Sequence, residues 1–571
     1  MRRSALALAL FSSAAAAQPA PFSFGGASQD VGFAVDVGPD GSFAVAGSTF
    51  GGYDPDPGAG DATVASGGNE DGFAAVYGPD GAFRFVVPFG PPGPSAVDEA
   101  FDVALSPSGD VAVAGYVGET LDLDPGPGET LIEAPGLAVY VFVAVYAPDG
   151  TLRYGFTLPG LRFDRGAHVA YDDDGVLYLA ATANNPVDLD PGPGETVVDG
   201  SLSTPVLASY GADGALRWGF GLDGSQCPVE GVDATAGRVA LACSLISGAL
   251  DVDPGPAVQE LDSDANISWV AALYAAADGA LASAFVVGGS QSFGGVGDVA
   301  LDGAGGVALV GAIDREADFD PGAGELVVGT AGEREAGVVA AYDADGTPRF
   351  AAALGPMLPR AVDTDGDRVV YTGSLGGAYD ADPGPGQVTV LPGAPFEATT
   401  VSLTSDGAFE WASTVAGPGN GDNGLDVALG TDGRAVVVGR FSDTVDADPG
   451  SGEALLSSGS RFNVDVFVVA YGRDGGLAAA PTDTDATPPG ATALRVWPNP
   501  SAGDARILWD GAAASARVSV VDALGREVTV LHQGPVTRGL DLRLPALAPG
   551  LYVVRAASSG GVASTRVSVV R

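Results

Sequence analysis

The sequence predicts an all-β chain, a seven-bladed β-propeller followed by a small C-terminal β-sandwich. Three observations predict it. The 571 residues include 87 Gly and 41 Pro, a share that opposes helices because both residues break them. The motif Asp-x-Asp-Pro-Gly occurs seven times, with its first Asp at 54, 122, 188, 251, 318, 380 and 446, at intervals between 62 and 68 residues. A second series, Asp-Gly after a strand-like run, has its Asp at 80, 149, 213, 278, 345, 406 and 474 and interleaves with the first without a miss. Self-similarity at a fixed period marks a repeat architecture.

Each repeat reads as four strands. In the second, residues 98–105 form a first strand and Ser106-Pro107-Ser108-Gly109 a turn. Val111 to Val117 is a second strand, followed by a long excursion that carries Asp122-Leu123-Asp124-Pro125-Gly126. Tyr140 to Tyr146 and Leu152 to Leu158 are the third and fourth, joined through Asp149-Gly150. β-Branched and aromatic runs bounded by Gly, Pro and Asp are strand and turn signals. Six of the seven Asp-Gly turns follow a Tyr: Tyr77, Tyr146, Tyr210, Tyr274, Tyr342 and Tyr471. Four antiparallel strands repeated seven times suit a propeller. The last repeat ends in Gly476-Leu477-Ala478-Ala479, a poor fourth strand, while Phe22-Ser23-Phe24 is a spare aromatic strand near the N-terminus. If Phe22–Phe24 completes the last blade, the ring has no open edge. The rival architecture is a solenoid, which needs polar caps and no such swap.

Before this strand, Met1-Arg2-Arg3, an apolar run and an Ala-rich stretch read as a signal peptide over residues 1–17. The propeller is expected over 18–479, a Pro- and Thr-containing linker over 480–494, and the second domain over 495–571. No apolar run is long enough to span a membrane as a helix. The formal net charge is −46, with 26 Arg, no Lys and 72 Asp or Glu. That charge excludes a nucleic-acid binder held by phosphate contacts and a polybasic membrane footprint. It suits a soluble exported protein.

Candidate site residues follow from the repeat. Long excursions on a rigid scaffold are where binding usually lives. Residues i and i+2 of a strand point the same way. The pairs Asp54/Asp56, Asp122/Asp124, Asp188/Asp190, Asp251/Asp253, Asp318/Asp320, Asp380/Asp382 and Asp446/Asp448 are therefore expected to present carboxylates on one face. Such pairs suit Ca²⁺, which takes carboxylate and carbonyl oxygens. The other reading is turn chemistry, in which the first Asp bonds neighbouring backbone and the second is a turn residue. Occurrence in every repeat favours a feature that every blade needs.

Cys227 and Cys243 stand symmetrically about the turn-like Ala234-Thr235-Ala236-Gly237, so they form either a cross-strand disulfide or two buried thiols. Of the two histidines, His168 falls in a first-strand position and His532 outside the propeller. No Gly-x-Ser-x-Gly, His-Glu-x-x-His or Cys-x-x-Cys motif occurs, and no catalytic residue is assigned.

The C-terminal segment carries a specific resemblance. Trp497-Pro498-Asn499-Pro500-Ser501 opens it, Val520-Val521-Asp522-Ala523-Leu524-Gly525-Arg526-Glu527-Val528 is a strand-turn-strand, and Leu547-Ala548-Pro549-Gly550-Leu551-Tyr552-Val553-Val554-Arg555 a late strand. Together they resemble the C-terminal sorting domain, type A, of the type IX secretion system. The resemblance covers only the last 77 residues. It implies a Gram-negative cell, periplasmic transit, handling by the type IX machinery and removal of the tail. The repeats are similar to bacterial cell-surface propeller repeats, Asp318-Phe319-Asp320-Pro321-Gly322 being the nearest copy, and this likeness implies no activity. The expected function is a non-enzymatic exported propeller that binds an extracellular glycan or protein. The alternatives are a secreted hydrolase or lyase using the central channel, and a structural surface role.

Overall fold

The computed structural model describes residues 19–477 except 27, 59, 66–69, 91–97, 119, 127, 134–139, 162–166, 201–202, 236, 291–293, 330–334, 420, 451 and 461. Beyond these it describes 494–497, 506–509, 513–522, 526–536, 540–544, 547, 550–558 and 561–569. The expected signal peptide at 1–17 lies outside the described residues, as does all of the expected linker save residue 494. The chain is all-β and divides into two compact units, residues 1–480 and 481–571.

Among the described residues, the first unit holds seven four-stranded antiparallel sheets, six of them meanders in chain order. Their first strands are Val31–Val37, Glu99–Leu105, Ala167–Tyr171, Val229–Thr235, Gly294–Leu301, Met357–Thr364 and Asn423–Leu429. The second sheet shows why the sequence was legible: its other strands are Val111–Val117, Tyr140–Tyr146 and Leu152–Leu158. Successive first strands lie side by side, and the first strand of sheet seven lies beside that of sheet one. The arrangement is propeller-like. Sheet seven takes its outer strand from the N-terminus: Phe22, Ser23 and Phe24 pair antiparallel with Val468, Phe467 and Val466. Phe22 and Phe24 are buried and meet Phe43, Tyr77, Tyr53 and Phe73 of sheet one at ring-centroid distances of 5.0–6.5 Å. The same seam is clamped by Arg434, wholly buried, which donates to the carbonyls of Pro79 and Gly41.

In the Asp-x-Asp-Pro-Gly excursions both acids accept backbone hydrogen bonds. The first acids are Asp54, Asp122, Asp188, Asp251, Asp318, Asp380 and Asp446. Each accepts two backbone N–H bonds through one oxygen, from residues two and eight further on, as Asp122 does from Asp124 and Thr130 at 3.0 and 2.8 Å. The second acids accept from their own loop. Asp56, Asp124, Asp190, Asp253, Asp320, Asp382 and Asp448 each accept the N–H of the motif glycine, at 2.7–2.8 Å. The physical reason is local. A carboxylate two residues before a backbone N–H closes a small Asx-type ring, and that bond fixes the turn.

The residue between the two acids is buried; Leu123, Leu189, Val252, Phe319, Ala381 and Ala447 join the cores shared by their own sheet and the one before. In five repeats the Tyr of the second series donates its hydroxyl to the carbonyl of that middle residue, at 2.9–3.1 Å. The two motif series are therefore two halves of one staple. An apolar plug must enter between sheets, and its polar backbone must be satisfied where water is excluded.

Cys227 and Cys243 form a disulfide with a Cα–Cα distance of 5.3 Å, beside the hairpin Val229–Thr235/Arg238–Asp251. The second unit contains a three-stranded sheet with Arg506–Trp509 between Leu494–Trp497 and Leu540–Arg543, and a four-stranded sheet built around Ala513–Asp522 and Gly550–Ser558. Val518, Val520 and Val554 are buried there.

Candidate binding site at the mouth of the central cavity

All seven first strands line one cavity of about 460 Å³. Six of them place an Asp in its wall, in two tiers. Asp36 stands opposite the second residue of the neighbouring strand and Asp233 and Asp363 opposite the third, whereas Asp102, Asp298 and Asp426 stand opposite the fourth. Each carboxylate accepts one N–H from the first strand of the next sheet: Asp36 from Leu105, Asp102 from Val169, Asp233 from Leu301, Asp298 from Val362, Asp363 from Leu429 and Asp426 from Val35, at 2.6–2.9 Å. The acids stitch sheet to sheet, and the bond from Asp426 to Val35 joins the last sheet to the first. Burial pushes Asp36 and Asp233 up to about 6 and Asp298 to about 7, against the backbone bonds that favour the ionised form. Burial, reinforced by other cavity acids, holds Asp363 and Asp426 well above the ordinary carboxylate range.

Tiers alternate around the sheets, but seven is odd, so the alternation must fail once. It fails between sheets two and three. There the wall position holds His168 in the same tier as Asp102, with Nδ1 3.6 Å from Asp102 Oδ2. Burial opposes the imidazolium, but Asp102, with Asp298 and Glu230 further off, outweighs it and raises the His168 pKa above its ordinary value. His168, in the first-strand position read from the sequence, is part of the cavity wall.

The cavity mouth is where the repeat stops repeating. Six first strands carry a one-residue register shift at the same place, and the extra residues are Phe33, Phe101, Glu230, Gly297, Arg360 and Leu425. A bulge re-aims a side chain and bends the strand. Phe33, Phe101, His168, Arg360, Leu425 and Arg440 gather around an adjoining cavity of about 290 Å³. The Phe33 and Phe101 rings lie 5.9 Å apart, and Tyr116 meets Phe101 at 4.7 Å. Arg360 is exposed and enters no ion pair among the described residues. Arg360 also borders a cleft of about 410 Å³ that runs on past Glu230 and Gly297. In a chain of charge −46, one rim thus concentrates aromatic faces, two Arg and the only cavity His. Neither the bulge series nor the acid ring was singled out in the sequence. The signal was present: each extra residue stands three or one places before its wall Asp, alternately.

None of the fourteen motif acids lines this mouth or the cavity beneath it. Asp54/Asp56, Asp122/Asp124, Asp188/Asp190, Asp251/Asp253, Asp318/Asp320, Asp380/Asp382 and Asp446/Asp448 stay in their seven separate staples. Each pair there holds backbone N–H groups. Among the described residues, no group of three or more His, Cys, Asp or Glu is arranged to hold a metal ion. No Ser or Cys lines the described cavity wall beside His168.

Comparison with known proteins identifies the tail. Residues 495–570 match the secretion system C-terminal sorting domain. The chain therefore ends in a type IX sorting domain, which marks it as a secreted or cell-surface protein handled by the type IX machinery. No helix among the described residues is long and apolar enough to cross a membrane. No curated protein matches the chain. Solved structures similar to it include a protein of unknown function from Dyadobacter fermentans (12% identity, 65% of this chain and 94% of that one, TM-score 0.33). Another is the quinohemoprotein alcohol dehydrogenase ADHIIG of Pseudomonas putida HK5 (11%, 84% and 79%, TM-score 0.33). A third is PorZ, a surface component of the type IX secretion system of Porphyromonas gingivalis (11%, 95% and 99%, TM-score 0.17). Scores this low carry no argument about function.

Proposed function

We propose that residues 18–479 form a closed seven-bladed β-propeller that is exported without its signal peptide, loses its sorting tail, and binds an acidic glycan outside the cell without altering it. The observation that carries this reading is the bulge series. Structural positions recur in every repeat, whereas the one position aimed at the mouth differs among the bulged strands. Variation confined to one rim is what a single site on a repetitive scaffold requires. The half-buried Phe33 ring, backed by buried Phe101, offers a platform for a sugar ring, and Arg360 and Arg440 offer donors to a carboxylate. In this reading the seven Asp-x-Asp-Pro-Gly motifs are staples that need no metal. Display of the full-length protein on an array of neutral and uronate-containing glycans tests it. Retention of acidic glycans, reduced at least tenfold by Arg360→Ala and by Phe33→Ala/Phe101→Ala at unchanged melting temperature, is expected. Absence of acidic-glycan binding, or binding indifferent to all three substitutions, would overturn it.

A further inference from the structure

The two seams that flank sheet seven each bury a pair of acids with no base between them. At the seam with sheet one, Asp30 is 0% exposed and Asp465 8%. Asp30 is held by the N–H groups of Gly26 and Phe50 at 2.5 and 2.8 Å. A methyl group on Gly25 would lie 2.6 Å from Asp30 Oδ2 and 2.6 Å from Asp465 Oδ1, so both oxygens converge on one spot that only glycine leaves open. Asp465 Oδ1 is buried without a hydrogen-bond partner, as is the hydroxyl of Tyr53, whose ring lies against Phe24 and Phe73. At the seam with sheet six, Glu397 (1% exposed) accepts the N–H groups of Gly393 and Ala394 with one oxygen, and Asp422 (0%) that of Ser442. The second oxygens, Glu397 Oε2 and Asp422 Oδ2, are buried without a hydrogen bond of ordinary geometry, the backbone N–H of Gly417 lying near Glu397 as well. None of the four acids enters an ion pair among the described residues, and the side-chain charges that reach Asp422 and Asp465 are negative.

A buried carboxylate oxygen without a donor costs free energy, and a second one beside it costs more. Some positive species must offset both. We infer that the Asp30/Asp465 seam, with Tyr53 at its side, and the Glu397/Asp422 seam each bind a hard divalent cation of the Ca²⁺ class. Such a cation takes carboxylate, carbonyl and hydroxyl oxygens at about 2.3–2.6 Å, tolerates irregular geometry and completes its shell with water. These sites are separate from the Asp-x-Asp-Pro-Gly motifs, whose first acids already spend an oxygen on two backbone N–H groups. Bound there, the cation ties the ring-closing sheet to both neighbours after export, where Ca²⁺ is plentiful.

Tb³⁺ luminescence, excited through tyrosine, tests the inference on the chelator-stripped full chain at pH 7.5, with thermal unfolding in parallel. Saturable emission that Ca²⁺ displaces and Na⁺ does not is expected. Asp465→Asn and Tyr53→Phe should each reduce emission at least threefold. Asp465→Asn/Asp422→Asn should abolish most of the Ca²⁺-dependent rise in melting temperature. A wild-type protein that gains no stability from Ca²⁺ would overturn the inference, and the seams would then hold shared protons. A Ca²⁺ rise left intact in the double variant would also overturn it and move the cations to the Asp-x-Asp-Pro-Gly motifs. Phe33→Ala/Phe101→Ala leaves every expected outcome here unchanged, so failure of this inference is distinguishable from failure of the glycan reading.

Discussion

His168 shows how much one residue can carry in a repetitive wall. Acids in alternating tiers keep their charges apart, and an odd number of sheets forces two neighbours into one tier. A histidine there answers Asp102 with a donor instead of a second negative charge. Replacing it with Asp should lower the urea midpoint, more at pH 8 than at pH 5, because it sets a second negative charge against the first. An unchanged midpoint would remove the electrostatic reason for the histidine. The other wall acids set the pH dependence of the whole unit. Asp36, Asp233 and Asp298 bind protons more tightly folded than unfolded, with pKa values of about 6, 6 and 7. The stability they confer is complete below about pH 4 and is lost as pH rises through 6 to 7. Asp40, Asp302 and Asp406 are shifted the other way by hydrogen bonds they accept, Asp40 from Ser42, Asp302 from Gly306 and Arg349, and Asp406 from Thr404. Their contribution is lost as pH falls below about 4. Maximum stability is therefore expected near pH 4–6, and Asp298→Asn should flatten the fall towards pH 8. A urea titration series across pH 3–9 measures both.

At the scale of the element, the staple is the unit of construction. Leu123→Ala removes a plug shared by two sheets and should cost about 2–5 kcal/mol. Tyr146→Phe removes one buried hydrogen bond and should cost about 1 kcal/mol. Asp122→Ala leaves two backbone N–H groups without their acceptor, at about 1–3 kcal/mol each if no water replaces it. Urea unfolding of the three variants ranks them; a neutral Leu123→Ala would mean the plug is not packed. The staple also shows what was legible in the sequence. Its residues announced themselves by recurrence, and the strands around it by alternation and by Gly, Pro and Asp punctuation. Sheet two came out nearly residue for residue. The place of the motif did not, because a two-residue periodicity says which way carboxylates point and not whether a loop folds back between sheets. The mouth was hidden for a related reason. A bulge changes strand register without changing composition, so Phe33, Phe101 and Arg360 read as ordinary strand residues until each partner strand was known.

At the scale of the molecule, the proposed ring closure is the claim on which the functional reading rests. Sheet seven has three strands of its own and needs Phe22–Phe24 for the fourth. That strand fills the seam between sheets seven and one, where Phe22 and Phe24 are buried. Phe22→Ala/Phe24→Ala empties the aromatic cluster with Tyr53, Phe73 and Tyr77 and should lower the melting temperature more than any single staple variant. Deleting residues 495–571 should leave folded protein in the periplasm, measurable by cell fractionation, since the sorting domain is the address. The most direct measurement of the central claim is hydrogen–deuterium exchange of the full chain, followed by mass spectrometry. A closed ring predicts that amides of residues 22–24 exchange as slowly as those of Val464–Tyr471, the strand they pair with. Exchange of residues 22–24 at the rate of a free chain, while 464–471 stays protected, would contradict the closed ring and the site built upon it.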